Sequence, residues 1–403
     1  MVSKKKGLET LIKRATQVTA GDVYVLHGQS NAWAIDYDNA YNDNNLPADA
    51  QWVRTIGAMH VYNKPAIYPE AENTDWYLAS GKAPDIRGGV QLVGNGMVGV
   101  LGLNIGLNLV ASEDIPIAII NGAGGGGAIS AYQKTTPYNL DDAYGRLQYR
   151  LEASGLKHNI KAFIWNQGES NADDTVIAYK SALNQLFADF NTDFSFEKFY
   201  IIQTPPGCAA KNGHQNVREA QRQFAAAHTE VKIMTRHGFP INPITADGNY
   251  FLSDGCHYHA HGYEVLADWI SNLAQHDFYN GSKDYQAPQL VRVTKRSAKS
   301  ISIEFTKPVT VQSDLKVGET IYSAKDNLFA ITSKKNIKIL EIQTDSESSK
   351  KIILQLDRPL KIGETLTYIL DDNYTNTTTP YRGPWLVDAQ TGVGVVGFTS
   401  TIK

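Results

Sequence analysis

The stretch from which the rest of the chain can be interpreted reads Val23-Tyr24-Val25-Leu26-His27-Gly28-Gln29-Ser30-Asn31. Its β-branched and aromatic residues, bounded by Gly21 and Gly28, predict a short buried strand. Gly28 permits a sharp exit, which would put Ser30 at the carboxyl end of a sheet strand, where open α/β folds bind their ligands. Taken alone, the stretch is more simply interpreted as a strand–loop–helix junction with Ser30 or Asn31 as an ordinary helix cap. Other segments of the chain decide between the two interpretations.

The composition is that of a globular protein. The chain has 403 residues, 42% hydrophobic and 20% charged, a length that suggests two or three domains. A net charge of -3 provides no broad basic field, so a nucleic-acid partner is not expected. No apolar run reaches the roughly 18 residues of a membrane span, and the basic start lacks the apolar region of a signal peptide. The two cysteines, Cys208 and Cys256, allow one disulfide bond or none.

Residues 21–282 alternate strand-like runs with helix-like patterns, which predicts parallel βαβ units in a three-layer α/β/α domain. Residues 1–20 are assigned to a leader segment. Residues 39–89 lack periodicity and predict a long loop, which either lines a pocket or is a surface insertion without a role. The predicted strands are Val23–Leu26, Ile115–Asn121, Ala162–Asn166, Phe199–Thr204 and Val231–Met234, and the predicted helices are Gly96–Ala111, Asp141–Ser154, Thr175–Phe190, Val217–His228 and Tyr263–Leu273.

The pattern changes after residue 285. Residues 285–403 contain alternating runs separated by turn residues and no useful helical period, which predicts a small all-β sandwich. Nothing in these residues separates a polysaccharide-binding domain from a support for the first domain, and support is the default expectation. The predicted strands are Leu290–Thr294, Ser300–Phe305, Lys351–Leu356, Thr365–Leu370 and Val393–Thr399.

A glycine run, Gly122–Gly127 interrupted only by Ala123, follows the second predicted strand. Its bare backbone N–H groups suit an anion or an oxyanion. The run also matches GxGxxG, but a dinucleotide site needs an acid at the end of a second strand, whereas Asp141 and Asp142 open a helical pattern. A nucleotide is therefore not the favoured ligand.

A second polar segment, Trp165–Asn171, follows the third predicted strand. Gln167 is a candidate amide donor to a developing negative charge, and Glu169 is a candidate for orienting a neighbouring side chain. The alternative is a polar turn that caps the next helix.

The third segment contains Asp254-Gly255-Cys256-His257. Its short turn can bring the Asp254 carboxylate onto Nδ1–H of His257 and leave Nε2 facing a serine, as nucleophilic catalysis by a hydroxyl requires. A metal site built from His257, His259 and His261 is the alternative. Only the first and last of these histidines fit a metal spacing, and loosely, so no metal is expected.

Together these segments resemble the SGNH hydrolase superfamily, and within it the carbohydrate acetylesterases similar to sialate O-acetylesterase. The resemblance covers about residues 22–273 and implies a flavodoxin-like sheet. Four motifs in the right order make it specific, although each alone is weak. The matching pieces are Gly28–Asn31, Gly125–Ile129, Gln167–Asn171, Asp254–His257 with Gly262-Tyr263, and a helix at Val217–Gln221.

The resemblance implies a role for each matching residue. Ser30 would be the nucleophile, His257 the general base and Asp254 the acid that orients the base. The sequence departs from the family pattern at two positions: Gly127 stands where the family usually has a threonine, and Tyr132 where it often has a tryptophan. These departures leave undecided which glycine N–H would bind the oxyanion. The oxyanion donors would be the Ser30 N–H, the N–H of Gly125 or Gly126, and the Gln167 side chain, and the supporting residues would be Gln29, Asn31, Glu169 and Asn171.

The expected function is that of a serine esterase that removes O-acetyl groups from a poly- or oligosaccharide through an acetyl-serine intermediate, without metal or organic cofactor. The alternatives are a non-catalytic glycan-binding module on a hydrolase fold, or an esterase or acyltransferase for another acyl ester. An acetylated carbohydrate substrate favours a secreted, periplasmic or particle-surface location, and the oligomeric state is left undetermined. Aromatic side chains near the active edge are candidates for stacking on sugars: Trp33, Trp52, Trp76, Tyr77 and Tyr132.

Overall fold

The computed structural model describes residues 2–5, 8–11, 18–38, 41–59, 72–81, 85–87, 90–92, 94–137, 139–206, 208, 214–239, 252, 254–317, 319–332, 337–369 and 383–403. Much of the predicted loop 39–89 and the predicted strand end at Leu370 lie outside these residues. The helices are α1 Ser30–Trp33, α2 Gly99–Glu113, α3 Ala143–Ser154, α4 Val176–Asp193, α5 Gln215–Ala227, α6 Ala260–Phe278 and α7 Ala324–Asn327.

The strands before residue 285 are β1 Val2–Lys5, β2 Leu8–Leu11, β3 Asp22–Gly28, β4 Val53–Ile56, β5 Trp76–Leu78, β6 Asp85–Arg87, β7 Val90–Leu92, β8 Ile117–Asn121, β9 Ile160–Asn166, β10 Phe196–Ile202 and β11 Val231–Met234. Those after it are β12 Leu290–Ser297, β13 Ser300–Phe305, β14 Val309–Val311, β15 Leu315–Val317, β16 Thr320–Tyr322, β17 Phe329–Thr332, β18 Ile339–Thr344, β19 Lys351–Leu356, β20 Thr365–Tyr368, β21 Leu386–Asp388 and β22 Phe398–Thr401. The described part holds no helix with the length and apolarity of a membrane span.

The main sheet has seven strands in the order β11-β10-β9-β3-β8-β4-β5. The pairs from β11 to β4 are parallel, and β5 joins β4 in the antiparallel direction. The predicted α/β/α class is therefore confirmed. The sequence did not predict β4 and β5, because they lie in and beside the polar stretch that has no strand period.

Strand β3 is central because it is apolar on both faces. Val23 to Leu26 are almost completely buried, as parallel strands covered by helices on both sides require. The strand ends at Gly28, whose φ of +130° favours glycine. A Cβ at Gly28 would collide with the Asn166 carbonyl, so the close approach of β3 to β9 depends on this glycine.

The order of strands reverses at β3. If β4 and β5 are set aside, the parallel strands follow the flavodoxin-like order 2-1-3-4-5, with β3 first in the chain. Right-handed crossovers then put α2 and α6 on one face and α3, α4 and α5 on the other, in agreement with the packing of α2 on α6 and of α4 on α5. The connections leave β3 and β9 towards opposite faces, which opens a crevice at the carboxyl ends of these strands.

Residues 285–403, called the β region below, have their own cluster of buried side chains. Its larger sheets run β12-β13-β19-β18 and β17-β20-β22, all antiparallel, and the predicted all-β class is confirmed apart from the single turn α7. The predicted strand Val393–Thr399 is wrong in its first half: strand β22 begins only at Phe398. Short strands such as β14 and β21 carry too few residues for a period to show. The boundary at residues 282–285 stays a prediction.

The β region contacts the carboxyl ends of β10 and β11 through buried polar groups. The Gln203 side chain donates to the Gly397 carbonyl at 3.0 Å and accepts from the Gly397 N–H at 2.8 Å. Gly394 accepts from the Thr235 hydroxyl at 2.9 Å and donates its N–H to the His237 carbonyl at 2.8 Å. These five residues are called the seam below. Because its donors and acceptors are paired across the contact, the seam holds the two parts in one register.

Candidate active site

Ser30 lies in the crevice at the carboxyl end of β3. It follows Gly28 and Gln29 and opens the single-turn helix α1. The Ser30 Oγ lies 2.9 Å from Nε2 of His257, although 227 residues separate the two in the chain. A serine hydroxyl this close to an imidazole nitrogen can pass its proton to it.

Asp254 holds the other side of the His257 ring. Its Oδ2 lies 2.6 Å from Nδ1 of His257, and its Oδ1 accepts the backbone N–H groups of Cys256 and His257 at 2.9 and 3.0 Å. Burial opposes the charge on this carboxylate, but the hydrogen bonds from His257 and the two N–H groups hold the pKa of Asp254 below its usual value. The carboxylate therefore stays ionised and fixes the proton on Nδ1, with Nε2 left to face Ser30.

Tyr37 packs against the base and was missed by the sequence reasoning. Its ring centroid lies 4.3 Å from that of His257, and its hydroxyl lies 3.5 Å from the Ser30 carbonyl. Burial raises the pKa of Tyr37. This neutral ring limits the positions that the imidazole can adopt. Its sequence signal was weak: it stands just before the stretch predicted to line a pocket.

An open cleft of about 400 Å³ surrounds these groups. Its size suits a small acyl group with part of its alcohol, since ligand sites typically run from about 300 Å³ upward. The lining residues are Gln29, Ser30, Trp33, Tyr37, Gly125, Gly126, Glu169, Ser170, Cys208, Cys256 and His257.

Gly125 and Gly126 line the same cleft as Ser30 and His257. Gly126 has a φ of +73°, and space is open where a Cβ would stand. Within the described residues, no acceptor is bonded to the backbone N–H groups of Ser30, Gly125 or Gly126. These groups are available to a negatively charged oxygen in the cleft.

Gln167 is not among the residues that line the cleft. Its amide is fully buried beneath the cleft and donates to the Gly127 carbonyl at 3.2 Å and to Oδ1 of Asn171 at 2.6 Å. Its Oε1 accepts the Tyr179 hydroxyl at 2.8 Å. Both N–H groups of Gln167 are therefore used in this conformation, and its role as an oxyanion donor stays a prediction. Gln167 and Asn171 instead brace the glycine run, and Asn171 also accepts the Ile129 N–H at 2.9 Å.

Two other predicted supporting residues join loops that follow different strands. Oε1 of Gln29 accepts the N–H groups of Gly168 and Ser170, each at 3.2 Å. The Asn31 amide donates to Oε1 of Glu169 at 2.8 Å and to the Cys256 carbonyl at 3.2 Å. Each side chain thus fixes the exit of β3 against a neighbouring loop.

Glu169 is almost completely buried and forms an ion pair with Arg236, whose Nη2 lies 2.8 Å from Oε1. Burial opposes its ionisation, but the charge and hydrogen bond of Arg236 lower the pKa of Glu169 below its ordinary value. Arg236 was also missed by the sequence reasoning. A signal existed, because Arg236 stands two residues after the predicted strand Val231–Met234, at the same sheet edge as Ser30.

The three histidines of the alternative metal reading are kept apart by separate partners. Nδ1 of His259 lies 2.8 Å from Asp38, and Nδ1 of His261 lies 2.9 Å from Glu264. Over the residues that the structure describes, no cluster of three or more His, Cys, Asp or Glu side chains is arranged to hold a metal ion.

Cys208 and Cys256 form a disulfide bond at the edge of the cleft. The sequence allowed this bond without predicting it. Cys256 stands between Asp254 and His257, and the Cys208 N–H also donates to the Gly255 carbonyl at 3.3 Å. The bond therefore ties the turn that carries the base to a distant part of the chain.

The aromatic residues predicted to stack on sugars are dispersed. Trp33 lines the cleft, whereas Tyr132 is buried with its hydroxyl on the Gly124 carbonyl at 2.6 Å. Trp76 lines a different cleft, at the amino ends of the strands. Trp52 is 41% exposed and does not line the cleft around Ser30.

The model of the family described as carbohydrate esterase, sialic acid-specific acetylesterase, matches residues 20–273, more than half of the chain. The chain belongs to this acetylesterase family. The predicted resemblance is thereby confirmed, and the matched segment contains each residue of the candidate site.

One solved structure agrees with this fold. A carbohydrate acetylesterase from Xanthomonas citri matches with a TM-score of 0.60 and 18% identity, over 94% of this chain and 80% of that one. A protein from Arabidopsis thaliana matches with a TM-score of 0.44 and 18% identity over 64% and 99%. A lipase/acylhydrolase from Enterococcus faecalis matches with a TM-score of 0.32 and 16% identity over 45% and 88%. The first likeness shows the fold alone, and the other two scores are too low to carry an argument. No curated protein matches the sequence significantly.

In this acetylesterase the structure brings Ser30, His257, Asp254 and the two glycines to one cleft, and it places Gln167 and Asn171 below it. Such a set can abstract a hydroxyl proton, attack a carbonyl and hold the resulting negative oxygen.

Proposed function

We propose that this protein is a serine esterase that removes O-acetyl groups from a carbohydrate through an acetyl-Ser30 intermediate. The observation that carries the proposal is the line of hydrogen bonds from Ser30 Oγ to His257 at 2.9 Å and from His257 to Asp254 at 2.6 Å. Within an acetylesterase family, this line supplies a nucleophile, its base and the group that orients the base.

In the first half-reaction Ser30 Oγ attacks the carbonyl carbon of the acetyl ester, while Nε2 of His257 takes the hydroxyl proton. The carbonyl oxygen becomes an oxyanion, which the N–H groups of Ser30 and Gly125 or Gly126 stabilise, each by about 3 kcal/mol. The C–O bond to the sugar then breaks, and the departing oxygen takes the proton from His257. Acetyl-Ser30 and the free sugar hydroxyl remain.

In the second half-reaction water attacks the acetyl carbon and gives its proton to His257. The same N–H groups stabilise the second oxyanion. The bond to Ser30 breaks, acetate leaves, and the Ser30 oxygen recovers its proton from His257. Asp254 remains a carboxylate throughout and stabilises the imidazolium that forms in each half.

The dimensions of the cleft support a short acyl group. Trp33 packs directly on Gly125 and closes the space beside the glycine run. Among the described residues, no Val, Leu, Ile, Met or Phe side chain lines this cleft, so it lacks the aliphatic trench that a long acyl chain would need. The family description specifies sialic acid acetylesters, and the Xanthomonas relative is a carbohydrate acetylesterase. An O-acetylated sugar is the substrate class that we propose here.

The test compares wild type, Ser30→Ala and Ser195→Ala, an exposed serine that does not line this cleft. Acetate release is measured from 4-nitrophenyl acetate, acetylated xylan and O-acetylated sialoglycans. Ser30→Ala is expected to lose about 10⁴-fold or more in kcat/KM, because a triad works as a unit, while Ser195→Ala stays within about threefold.

A second readout is mass spectrometry of the peptide containing Ser30 after brief exposure to substrate, which should show an added acetyl group. A wild type that releases no acetate from any ester, or an active Ser30→Ala, would overturn the proposal. Binding without turnover would then point to a glycan-binding module.

A further inference from the structure

Arg236 contacts two loops of the candidate active site, one that carries Glu169 and one that carries His257. Its Nη2 donates to Oε1 of Glu169 at 2.8 Å, and its guanidinium lies 5.3 Å from the ring centroid of Tyr258. Tyr258 directly follows His257 in the chain. The Arg236 side chain has no solvent exposure, so its cost of desolvation is large.

Asn31 connects this ion pair to the reacting groups. Its amide donates to both Glu169 and the Cys256 carbonyl, and its Oδ1 accepts the Tyr263 hydroxyl at 3.0 Å. Asn31 follows Ser30, and Cys256 precedes His257. One amide therefore sets the position of the nucleophile relative to the base, and Glu169 sets the orientation of that amide.

The seam fixes the backbone on both sides of Arg236 in the chain. Its neighbours Thr235 and His237 are both hydrogen-bonded to Gly394 of the β region. The Trp385 ring, also from the β region, stacks on His237 with centroids 4.7 Å apart and planes at 22°. The backbone on both sides of Arg236 is thus fixed by residues more than 140 positions further along the chain.

A buried ion pair seldom adds net stability, because desolvation offsets its attraction and apolar side chains of similar volume do as well. The Arg236–Glu169 pair is therefore poorly explained as a device for stability. Its position, one residue from the seam and two contacts from Ser30, explains it better as a device for geometry.

We propose that Arg236 is a positioning residue for the esterase reaction, and that the β region serves this reaction by holding Arg236 in place. The inference rests on the proposed function, since it needs Ser30 and His257 to act as a pair. It assigns the β region a role in catalysis that requires no contact with the sugar.

The test is a double-mutant cycle with Arg236→Met, Glu169→Gln and the double variant, in the full-length chain. Glu169→Gln keeps an oxygen that can accept from the Asn31 amide. The double variant leaves no unpaired charge buried, so it can still be measured if Arg236→Met alone does not fold. Arg236→Lys is the conservative variant. Arg222→Met is the matched control, because Arg222 pairs with Glu219 at 2.6 Å away from the catalytic loops.

Turnover of 4-nitrophenyl acetate is measured per active site, counted by titration with a fluorophosphonate that labels the reactive serine. Arg236→Met should lower kcat about 10- to 100-fold with KM within about threefold, the size of effect that misplacement by 1 Å produces. Arg236→Lys should fall between wild type and Arg236→Met. The double variant should be no slower than Arg236→Met, because both residues act through one contact.

The contribution of the β region is tested with Trp385→Ala, and Trp52→Ala serves as its control at an exposed tryptophan. Trp385→Ala should lower kcat per titrated site about three- to tenfold, less than the loss expected for Arg236→Met, because Arg236 itself is still present. Trp52→Ala should leave kcat unchanged. Unchanged kcat in both Arg236→Met and the double variant would overturn the role of Arg236. An equal loss in Arg222→Met would also overturn the role of Arg236. Unchanged kcat in Trp385→Ala, or an equal loss in Trp52→Ala, would overturn the link to the β region.

Ser30→Ala is run beside these variants to separate the two proposals. An inert Ser30→Ala with a fully active Arg236→Met means that only this inference fails. An active Ser30→Ala means that the proposed function itself fails.

Discussion

Two serine–histidine pairs lie at opposite edges of the same sheet. At the carboxyl edge, Ser30 Oγ is 2.9 Å from His257, and at the amino edge, Ser195 Oγ is 3.0 Å from Nδ1 of His158. The cleft at the amino edge is the larger, about 630 Å³ against about 400 Å³. Neither the pair nor the volume therefore identifies the reactive site.

The difference lies in what surrounds each pair. His257 is held on its far side by Asp254 at 2.6 Å, whereas among the described residues no carboxylate pairs with His158. His158 and Ser195 are exposed, and the charges nearby, Lys161 and Glu197, neutralise each other at 2.8 Å. A serine becomes a nucleophile only when its base is oriented and its oxyanion has donors. We therefore place the chemistry in the smaller cleft.

The largest expected effect tests directly which of the two serine–histidine pairs is reactive. His257→Ala should lower kcat/KM for 4-nitrophenyl acetate by about 10⁴-fold, because it removes the proton acceptor of Ser30. His158→Ala, the matched change at the amino edge, should leave kcat/KM within about twofold, as for most surface substitutions. Steady-state kinetics on both variants checks this. A loss in His158→Ala as large as in His257→Ala would show that the comparison assigns the wrong pair.

A second prediction concerns His27, which ends β3 beside the active cleft but is completely buried. Burial lowers the pKa of His27 to about 4, even though its Nδ1 is bonded to the Gly122 carbonyl at 2.9 Å. Between pH 6.5 and 4, the His27 side chain takes up a proton in the unfolded chain but not in the folded protein. The free energy of unfolding should therefore fall as the pH drops through this window, by about 3 kcal/mol.

Chemical denaturation at several pH values measures this loss. His27→Gln should reduce the slope between pH 6.5 and 4 without abolishing it, because glutamine does not titrate but burial also lowers the pKa of His237, to about 3. If His27→Gln and wild type lost stability in parallel, another group would be responsible.

The smallest expected effect on kcat comes from the disulfide bond beside the Ser30–His257 pair. Cys208 and Cys256 tie down the turn that carries Asp254 and His257, so the double substitution to serine should lower kcat about three- to tenfold by loosening that turn. Wild type treated with a reductant should approach the same kcat. The double variant should not respond to the reductant at all. A wild type that keeps full activity after complete reduction, shown by thiol titration, would contradict this account.

The sequence predicted best what local patterns encode. The βαβ alternation produced the sheet class, and four motifs in order identified the family, which the family comparison confirmed. The turn from Asp254 to His257 spans only four residues, so its internal contact was also predictable. The edge strands β4 and β5 were missed because their stretch is polar and lacks a period.

Gln167 shows where motif reasoning stops. The motif predicts an amide near the oxyanion, but whether its N–H groups point into the cleft depends on Asn171 and the Gly127 carbonyl, which use both of them. Tyr37 and Arg236 show the converse. Neither belongs to a recognisable motif, and their importance comes from residues far away in the chain.

The sequence by itself determined the fold class, the family and the residue types capable of the chemistry, because these follow from short-range patterns and from the order of motifs. Only the tertiary structure decided which serine faces an oriented base, that Cys208 bonds to Cys256, and that the β region holds the segment bearing Arg236. The physical reason is that hydrogen bonds act over about 3 Å. A pair such as Ser30 and His257, 227 positions apart, meets that distance only after the whole sheet has folded.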